Sequence, residues 1–161
     1  MRIEKVVVNS SPLIVLFQSG QADLFPQLFK AVVIPEQVYE EIIAGGKDDA
    51  AKMAIPQIPW IDRKKVEISL PVAAWNLGNG ESAVFSFAMN ESGYRAVVDD
   101  LAARRCAQTF GIPTLGTGGL LVLAKRRGLI NSVKERVQRL RDAGLYLSDS
   151  LVQLVIAEAG E

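Results

Sequence analysis

The sequence predicts an α/β domain in which a central, mostly parallel sheet lies between two layers of helices. Short runs of β-branched residues, at 5–8 and 31–34, are typical of strands that are buried on both faces. Segments with a helical spacing of apolar residues separate these runs. Since parallel strands need long crossover connections, the alternation of strands and helices favours a parallel sheet.

Four strands and one further candidate are predicted. The strands are Lys5 to Val8, Ala31 to Ile34, Tyr94 to Val98 and Ile112 to Leu115, and the candidate is Lys65 to Ser69. The candidate lies within residues 55–79, a stretch with prolines and two tryptophans that we interpret as an excursion from the alternating pattern.

Helices are predicted between and after these strands. They cover residues 12–20, 21–29, 35–45, 48–54, 80–90, 101–110, 120–127, 133–143 and 151–159. Ser11 is the expected N-cap of the first helix, with Pro12 in its first turn, and Ser148 is the expected N-cap of the last. Gly45 and Gly46 are expected to end the third helix, and Asp48 to open the fourth.

Length and composition are those of one globular domain, residues 1–161, in which residues 112–161 form a C-terminal strand–helix extension. Hydrophobic residues make up 49% of the chain and charged residues 22%, which is a folded rather than a disordered balance. Cys106 is the only cysteine, so an internal disulfide is excluded. Without a signal peptide or a membrane-spanning apolar run, we expect a cytoplasmic protein with no membrane contact.

Histidine is absent from the chain. Its absence excludes Ser-His-Asp and Cys-His mechanisms, histidine general bases and the common zinc sites. Any chemistry must therefore depend on carboxylates, hydroxyls, lysine or a bound metal.

Charge is balanced overall but unevenly distributed. Residues 101–141 carry nine basic side chains and one acidic side chain. Such a segment attracts phosphate, or it forms a solvated helical face, and the sequence leaves both interpretations open.

Polar residues follow two of the predicted strands at the point where each ends. Asn9 and Ser10 come after the first strand, and Asp99 and Asp100 after the third. Ligands of open α/β sheets bind beyond the carboxyl ends of the strands, so these positions indicate a site. Helix capping is the alternative interpretation, because Asp and Asn are common at helix starts.

Two glutamates on predicted helices, Glu41 and Glu81, are further candidates. Glu40 and Glu41 are adjacent and cannot share a helix face, so one is expected to point towards the sheet edge. Carboxylates that converge repel each other unless a cation joins them, and hard oxygen ligands select Mg²⁺ or Mn²⁺. A cluster of this kind activates water and binds a phosphate oxygen, as in nucleases.

The order of these motifs resembles that of the PIN domain. The motifs are N-S-S-P-L-I after an apolar strand, V-I-P-E-Q-V-Y-E-E-I, G-N-G-E-S-A and V-V-D-D-L-A-A-R. The tail, G-I-P-T-L-G-T-G-G-L-L-V-L-A-K-R-R-G-L-I, is similar to that of a prokaryotic PIN subgroup. The resemblance implies a three-layer α/β/α fold and a Mg²⁺- or Mn²⁺-dependent ribonuclease. It also implies an RNA substrate, a homodimer and, as in toxin–antitoxin pairs, a small antitoxin as partner.

The acidic set of the PIN family carries over to specific positions of this chain. The metal ligands implied by the resemblance are Asn9, Glu41, Glu81 and Asp99, with Asp100 as the neighbouring choice, and the catalytic residues are Glu41, Glu81, Asp99 and Asp100. Ser10, Arg104 and Arg105 are the expected substrate-binding residues.

Asn9 departs from the family pattern, which has Asp at this position. An amide oxygen still ligates Mg²⁺, but the site loses one negative charge, so weaker metal binding is expected. The alternative function is a catalytically degenerate PIN-fold module that binds RNA or protein. A phosphatase or receiver-like domain is less favoured, because those domains carry their key Asp where this chain has Asn9.

The segment GTGG at 116–119 follows a predicted strand and precedes a helix. This is the setting of phosphate-binding loops, but the lysine and spacing of a P-loop are missing. A tight turn is the preferred interpretation.

Overall fold

A computed structural model describes residues 4–45 and 49–161, so Gly46 and Asp48, named above as helix boundaries, lie outside the described residues. The strands are β1 (Lys5–Val8), β2 (Ala31–Pro35), β3 (Ile61–Lys64), β4 (Tyr94–Val97) and β5 (Thr114–Leu115). The helices are α1 (Ser10–Gln18), α2 (Leu24–Leu28), α3 (Glu36–Ile43), α4 (Ala50–Ala54), α5 (Leu70–Ala73), α6 (Asn79–Asn90), α7 (Leu101–Thr109), α8 (Thr117–Arg126), α9 (Val133–Asp142) and α10 (Asp149–Glu158), with a 3₁₀ turn at Ile55–Gln57.

The sheet has the order β3-β2-β1-β4-β5, and every neighbouring pair is parallel. Helices cover both of its faces, so the predicted three-layer α/β/α architecture is confirmed. The first strand of the chain lies at the centre of the sheet, between β2 and β4. Val8 is in register with Val97, so the residues that follow β1 and β4 emerge side by side.

The strand candidate at Lys65 to Ser69 is wrong, because the third strand of the chain is β3, Ile61–Lys64. This strand lies at the edge of the sheet, where it pairs only with β2. Three of its four residues are exposed and charged, which is how natural proteins protect sheet edges. An edge strand of this composition has no apolar run by which the sequence could indicate it.

Side chains, not a strand ladder, bind the backbone of residues 65–69. Gln37 Nε2 donates to the carbonyl of Val66 over 2.7 Å, and the N–H of Ser69 donates to Ser86 Oγ over 3.0 Å. These bonds satisfy backbone groups that a strand would have satisfied by pairing.

The remaining strands agree with the sequence except for the length of β5. That strand has two residues instead of the predicted four. Pro113 has no N–H to donate to a ladder, although its carbonyl accepts from Ala96 over 2.9 Å.

Several helix starts differ from the prediction by one to three residues, and two of these differences lie at the candidate site. Helix α1 begins at Ser10 with Asn9 in the N-cap position, two residues before the predicted Ser11 cap. Helix α8 begins at Thr117, so residues 117–119 of the GTGG segment form its first turn and not a tight turn before the helix. The predicted cap of α10 is confirmed, because Ser148 Oγ accepts from the N–H of Leu151 over 3.2 Å.

Chain direction brings several helix N-termini to the carboxyl edge of the sheet. Helices α1, α3, α7 and α8 each begin directly after a strand. Helix α6 precedes β4 and packs against β1, β2 and β4, so it runs back along the sheet and its first turn also lies at this edge. The positive ends of these helix dipoles favour negative charge at the carboxyl edge.

One apolar core extends from β1 to α10. It contains the central strand residues Val6, Val7 and Val8, all with no exposed surface, and it reaches Leu140 of α9 and Val155 of α10. Cys106 is also fully buried in this core, as its position within a helix predicts. Among the described residues, no helix is both long and apolar enough to cross a membrane.

Candidate active site at the carboxyl edge of the sheet

Glu41 lies in the second turn of α3, and its carboxylate joins three helices. Ser10 Oγ, in the first turn of α1, donates to Glu41 Oε2 over 2.8 Å. The backbone N–H of Gly80, in the first turn of α6, donates to Glu41 Oε1 over 2.8 Å. Glu41 therefore caps α6 from another helix, which replaces the missing side-chain cap of Gly78.

Gly80 leaves no room for a side chain beside this carboxylate. A Cβ atom built at position 80 would lie 2.7 Å from both Oε1 and Oε2 of Glu41. Only glycine permits the backbone of α6 to approach the carboxylate this closely.

Glu81, the next residue of α6, is half-buried and has an oxygen without a partner. Its Oε2 is buried and accepts no hydrogen bond within the part of the chain that the structure describes. Burial raises the pKa of Glu81 above its ordinary value, and the nearby charges of Asp100 and Glu41 raise it further. Three of the predicted acidic residues thus share one electrostatic environment.

Asp99 is directed away from that cluster to the N-terminus of α8. Its Oδ1 accepts from the backbone N–H of Thr117 over 2.8 Å, and its Oδ2 accepts from Thr117 Oγ1 over 2.5 Å. Both carboxylate oxygens are therefore bound to a single residue. Asp99 was expected among the metal ligands, and this arrangement leaves Asp100 as the acidic residue of the pair nearest Glu81.

Asp100 is the N-cap of α7. Its Oδ2 accepts from the N–H of Ala103 over 2.9 Å, so the capping interpretation of the Asp pair holds for this oxygen. The other carboxylate oxygen of Asp100, Oδ1, takes no part in this cap. The charge of Asp100 nevertheless reaches Glu81, since it contributes to the raised pKa of that residue.

Asn9 lies between β1 and α1 and is only 7% exposed. Its backbone N–H extends the β1–β4 ladder by donating to Val97 over 3.1 Å. Its Oδ1 is buried and, among the described residues, accepts no hydrogen bond. A buried amide oxygen without a partner costs about 1–3 kcal/mol of desolvation, so it calls for a ligand that the chain itself does not supply.

Arg104 and Arg105, the expected substrate-binding residues, are both exposed on α7. Arg104 Nη1 lies beside Gly116, where an added Cβ atom would approach it to 2.9 Å. It lines a groove of about 330 Å³ together with Asp99 and residues of α10. Arg104 therefore lies near the N-terminus of α8 and not near Glu41.

Much of the basic segment after residue 124 is already paired. Lys125 bonds to Glu161 over 2.8 Å, Arg139 to Glu135 over 2.6 Å, and Arg141 to Asp149 over 3.0 Å. These pairs favour the interpretation of the segment as a structural helical face.

The donor chemistry of the edge fits a hard divalent cation, although the carboxylates do not form a ready cage. Asn9 Oδ1 and Glu81 Oε2 are buried oxygens without partners, and oxygen is the ligand that Mg²⁺ and Mn²⁺ prefer. In the described ranges, no three His, Cys, Asp or Glu side chains are close enough to hold an ion together. The hydrogen bonds of Glu41 and Asp100 hold these carboxylates apart instead.

Two residues of this site were not singled out by sequence reasoning. Gly80 was noted only as the start of a helix, and Thr117 only as part of the GTGG segment. Their partners lie 39 and 18 residues away along the chain, so no local pattern indicates these contacts.

The fold is that of an open parallel α/β sheet, in which ligands bind beyond the carboxyl ends of the strands, and this chain places acidic side chains there. Within this class of fold, the sequence pattern of the PIN domain matches residues 5–161, and the chain belongs to the PIN domain family. PIN domains are nuclease-type modules that generally bind RNA and use divalent metal ions. Among curated proteins, none matches this chain.

Proposed function

We propose that this protein is a divalent-metal-dependent ribonuclease. The observation that supports the proposal best is Glu81, whose buried oxygen lacks a partner and whose pKa is raised by burial and by Asp100 and Glu41. Carboxylates gathered without a counter-charge are costly, and a cation relieves that cost. A cation bound at this edge would offset the negative charges that raise the pKa of Glu81.

The residues that would hold the cation are Asn9, Glu41 and Glu81, with Asp100 in place of Asp99. We prefer Asp100 to Asp99 in this set because the charge of Asp100 reaches Glu81, whereas Asp99 is bound to Thr117 at the N-terminus of α8. When bound, Mg²⁺ or Mn²⁺ supplies positive charge that polarises a phosphodiester and activates water.

The chain's own side chains take the remaining roles in this proposal. Glu81 Oε2 has no hydrogen-bond donor among the described residues and the pKa of Glu81 is raised, so in this proposal Glu81 is the group that accepts a proton. Ser10 donates to the Glu41 carboxylate and so orients it, and Ser10 itself lies at the carboxyl edge of the sheet. Arg104 and Arg105 are exposed on the adjoining helix, where guanidinium groups can bind RNA phosphates.

The test is an RNA cleavage assay with Mn²⁺, comparing the native chain with Glu81→Gln and Asp100→Asn. We expect both substitutions to reduce cleavage by about 100-fold or more while the protein remains folded, as typical losses of general acid–base groups do. Glu67→Gln, at an exposed position on residues 65–69, is the matched control and should cleave normally. Cleavage that survives both site substitutions would contradict the proposal.

A catalytically degenerate module is the second candidate, and a specific observation favours it. Glu41, Asp99 and Asp100 each accept hydrogen bonds at a helix N-terminus, so structural capping alone explains these three residues. Asn9 also removes one charge from the site. If the native chain binds RNA but cleaves it only after Asn9→Asp, the degenerate module is the correct description.

The toxin role within a toxin–antitoxin pair and the homodimer remain part of this proposal and depend on the resemblance to PIN toxins. An exposed apolar surface at Tyr146, Leu151 and Leu154 offers room for a protein partner. Co-expression with the product of any short neighbouring reading frame tests the role. Inhibition of growth that this product reverses would support it, and harmless expression of the active chain would contradict it.

A further inference from the structure

We propose that Thr117 is a positioning residue that fixes Asp99 and thereby directs Asp100 towards the acidic cluster. The inference deepens the proposed function and rests on it. Thr117 does not belong to the cluster itself, because it acts through Asp99 from the first turn of α8.

The contact between Thr117 and Asp99 uses both carboxylate oxygens of Asp99 and both hydrogen-bond donors of Thr117. The backbone N–H and the hydroxyl of Thr117 each donate to a different oxygen of the same carboxylate, over 2.8 and 2.5 Å. Thr117 has no exposed surface, so water does not compete for either bond. A charged acceptor with two donors in a dry setting makes strong hydrogen bonds.

The same contact joins two neighbouring strands. Asp99 follows β4, and Thr117 follows β5, after Gly116. A Cβ atom at position 116 would lie 3.3 Å from Asp99 Oδ1 and 2.9 Å from Arg104 Nη1, so a larger residue there would require both side chains to shift and glycine makes the approach easier. Since Gly116 makes no side-chain cap, the carboxylate of Asp99 caps α8 from outside the helix.

Fixing Asp99 determines where the next side chain points. Asp100 has φ −62° and ψ 131°, close to the polyproline II conformation, in which adjacent side chains point in different directions, about a third of a turn apart. With Asp99 held against α8, Asp100 points in a different direction, in which it caps α7 and its charge reaches Glu81. Loss of the Thr117 hydroxyl would leave Asp99 with only the bond from the backbone N–H of Thr117, and we expect the orientation of Asp100 to become less fixed as a result.

Titration calorimetry with Mn²⁺ on the full chain tests the positioning role of Thr117. The variant Thr117→Val keeps the shape of the side chain but removes its hydroxyl, and the variant Thr117→Ser keeps the hydroxyl. We expect Thr117→Val to weaken Mn²⁺ binding by about 10- to 100-fold, the usual effect of losing an orienting hydrogen bond, and Thr117→Ser to restore most of it. Ser86→Ala is the control for a lost buried hydroxyl elsewhere, because Ser86 is buried and its hydroxyl accepts from the N–H of Ser69, away from the candidate site.

Amide hydrogen exchange at Ala103 provides a readout that needs no metal. Ala103 donates to Asp100, so its exchange should become faster in Thr117→Val and remain slow in Thr117→Ser. The N–H of Lys52, capped by Asp49 over 2.8 Å in α4, is the reference and should not change. Should Thr117→Val fail to fold, Asp99→Asn replaces it in both measurements, since it disrupts the same contact from the other partner.

The outcomes separate the two proposals. If the native chain binds no Mn²⁺, the metal-dependent function fails, and the exchange of Ala103 alone decides the role of Thr117. If the native chain binds Mn²⁺ and Thr117→Val binds it equally well, the positioning role is overturned. A loss in Thr117→Val that Ser86→Ala reproduces would also overturn it, because general destabilisation would then account for both.

Discussion

The backbone N–H of Gly80 donates to the Glu41 carboxylate over 2.8 Å, and a Cβ atom at position 80 would lie 2.7 Å from both carboxylate oxygens. Helix α6 is thereby capped by a residue of α3. The same principle recurs at α8, which Asp99 caps from the end of β4. Acidic side chains at this edge of the sheet hold helices in place as well as contributing charge.

Substitution of Gly80 by alanine should displace Glu41 without unfolding the protein. Alanine favours a helix over glycine by up to about 1 kcal/mol, which offsets the loss of about 1 kcal/mol from the displaced cap. We therefore expect a nearly unchanged Tm together with Mn²⁺ binding that is weaker by about tenfold or more. Gly78→Ala is the control, since its Cβ atom meets nothing closer than Glu81 Oε1 at 3.9 Å. Equal Mn²⁺ affinity in the two variants would contradict the argument.

Replacement of Glu81 by glutamine should stabilise the metal-free protein at neutral pH. Folding raises the pKa of Glu81, so the native carboxyl binds its proton more tightly than the unfolded one, whose pKa is near 4.5. Ionised Glu81 thus costs stability above that pH, and the cost vanishes below it, where the group is protonated in both states. Urea unfolding with a chelator present should show a gain for Glu81→Gln at pH 7 that disappears near pH 4. A gain that is independent of pH would exclude the titration of Glu81 as its cause.

The contacts of Glu161 predict a loss of stability in acid. Its carboxylate accepts from Lys125 over 2.8 Å and from the N–H of Val133, at the start of α9, over 2.6 Å. The hydrogen bond from Lys125 and the one from Val133 lower the pKa of Glu161 to about 2. Because the pKa is depressed on folding, the stabilisation is complete above about pH 4.5 and is lost as pH falls towards 2.

Glu161→Gln should consequently lower the Tm at pH 7, and the difference from the native chain should shrink between pH 4.5 and 2. Glu158→Gln, in the last turn of α10, removes an exposed carboxylate outside this contact and serves as control. A deficit of the same size at pH 7 and pH 2.5 would refute the assignment.

Restoring aspartate at position 9 should make stability depend more strongly on metal. Asn9 is nearly buried and its Oδ1 lacks a partner, so a carboxylate there adds charge close to the acidic cluster. Without metal we expect Asn9→Asp to be less stable than the native chain, because native Asn9 already has an unpaired buried oxygen and the substitution adds a buried negative charge, which costs more than a neutral polar group. With saturating Mn²⁺ its Tm should rise more than that of the native chain, because ligand binding to the folded state stabilises it. Asn131→Asp is the exposed control, and an equal Mn²⁺ shift in all three proteins would rule out this position as a metal ligand.

Strand prediction succeeded where burial leaves a continuous apolar pattern and failed where it does not. The runs that form β1 and β2 are mostly β-branched and buried, and β4, with the sequence Tyr-Arg-Ala-Val, is buried over its last two residues. The edge strand β3 has the sequence Ile-Asp-Arg-Lys, which carries no such pattern because only its pairing with β2 defines it. Pairing is a contact between distant segments, and composition does not encode it locally.

The candidate site, too, could be predicted from the sequence only in part. That Asn9, Asp99 and Asp100 would gather at the carboxyl edge follows from their positions after apolar strands. Which carboxylate of the Asp pair faces Glu81 does not follow, because the two residues are adjacent and have the same chemistry. A hydroxyl 18 residues further along the chain makes that distinction.

The sequence alone determined the parallel α/β architecture, the absence of histidine chemistry and the placement of acidic residues at strand ends. These properties depend on periodicity and residue type, which are local. Only the tertiary structure decided that Glu41 caps α6 beside Gly80, that Asp99 is bound by Thr117 and that Glu81 keeps a buried oxygen without a partner. Each of these depends on distances between segments that folding brings together, and the energies of such contacts have no signature in the order of residues along the chain.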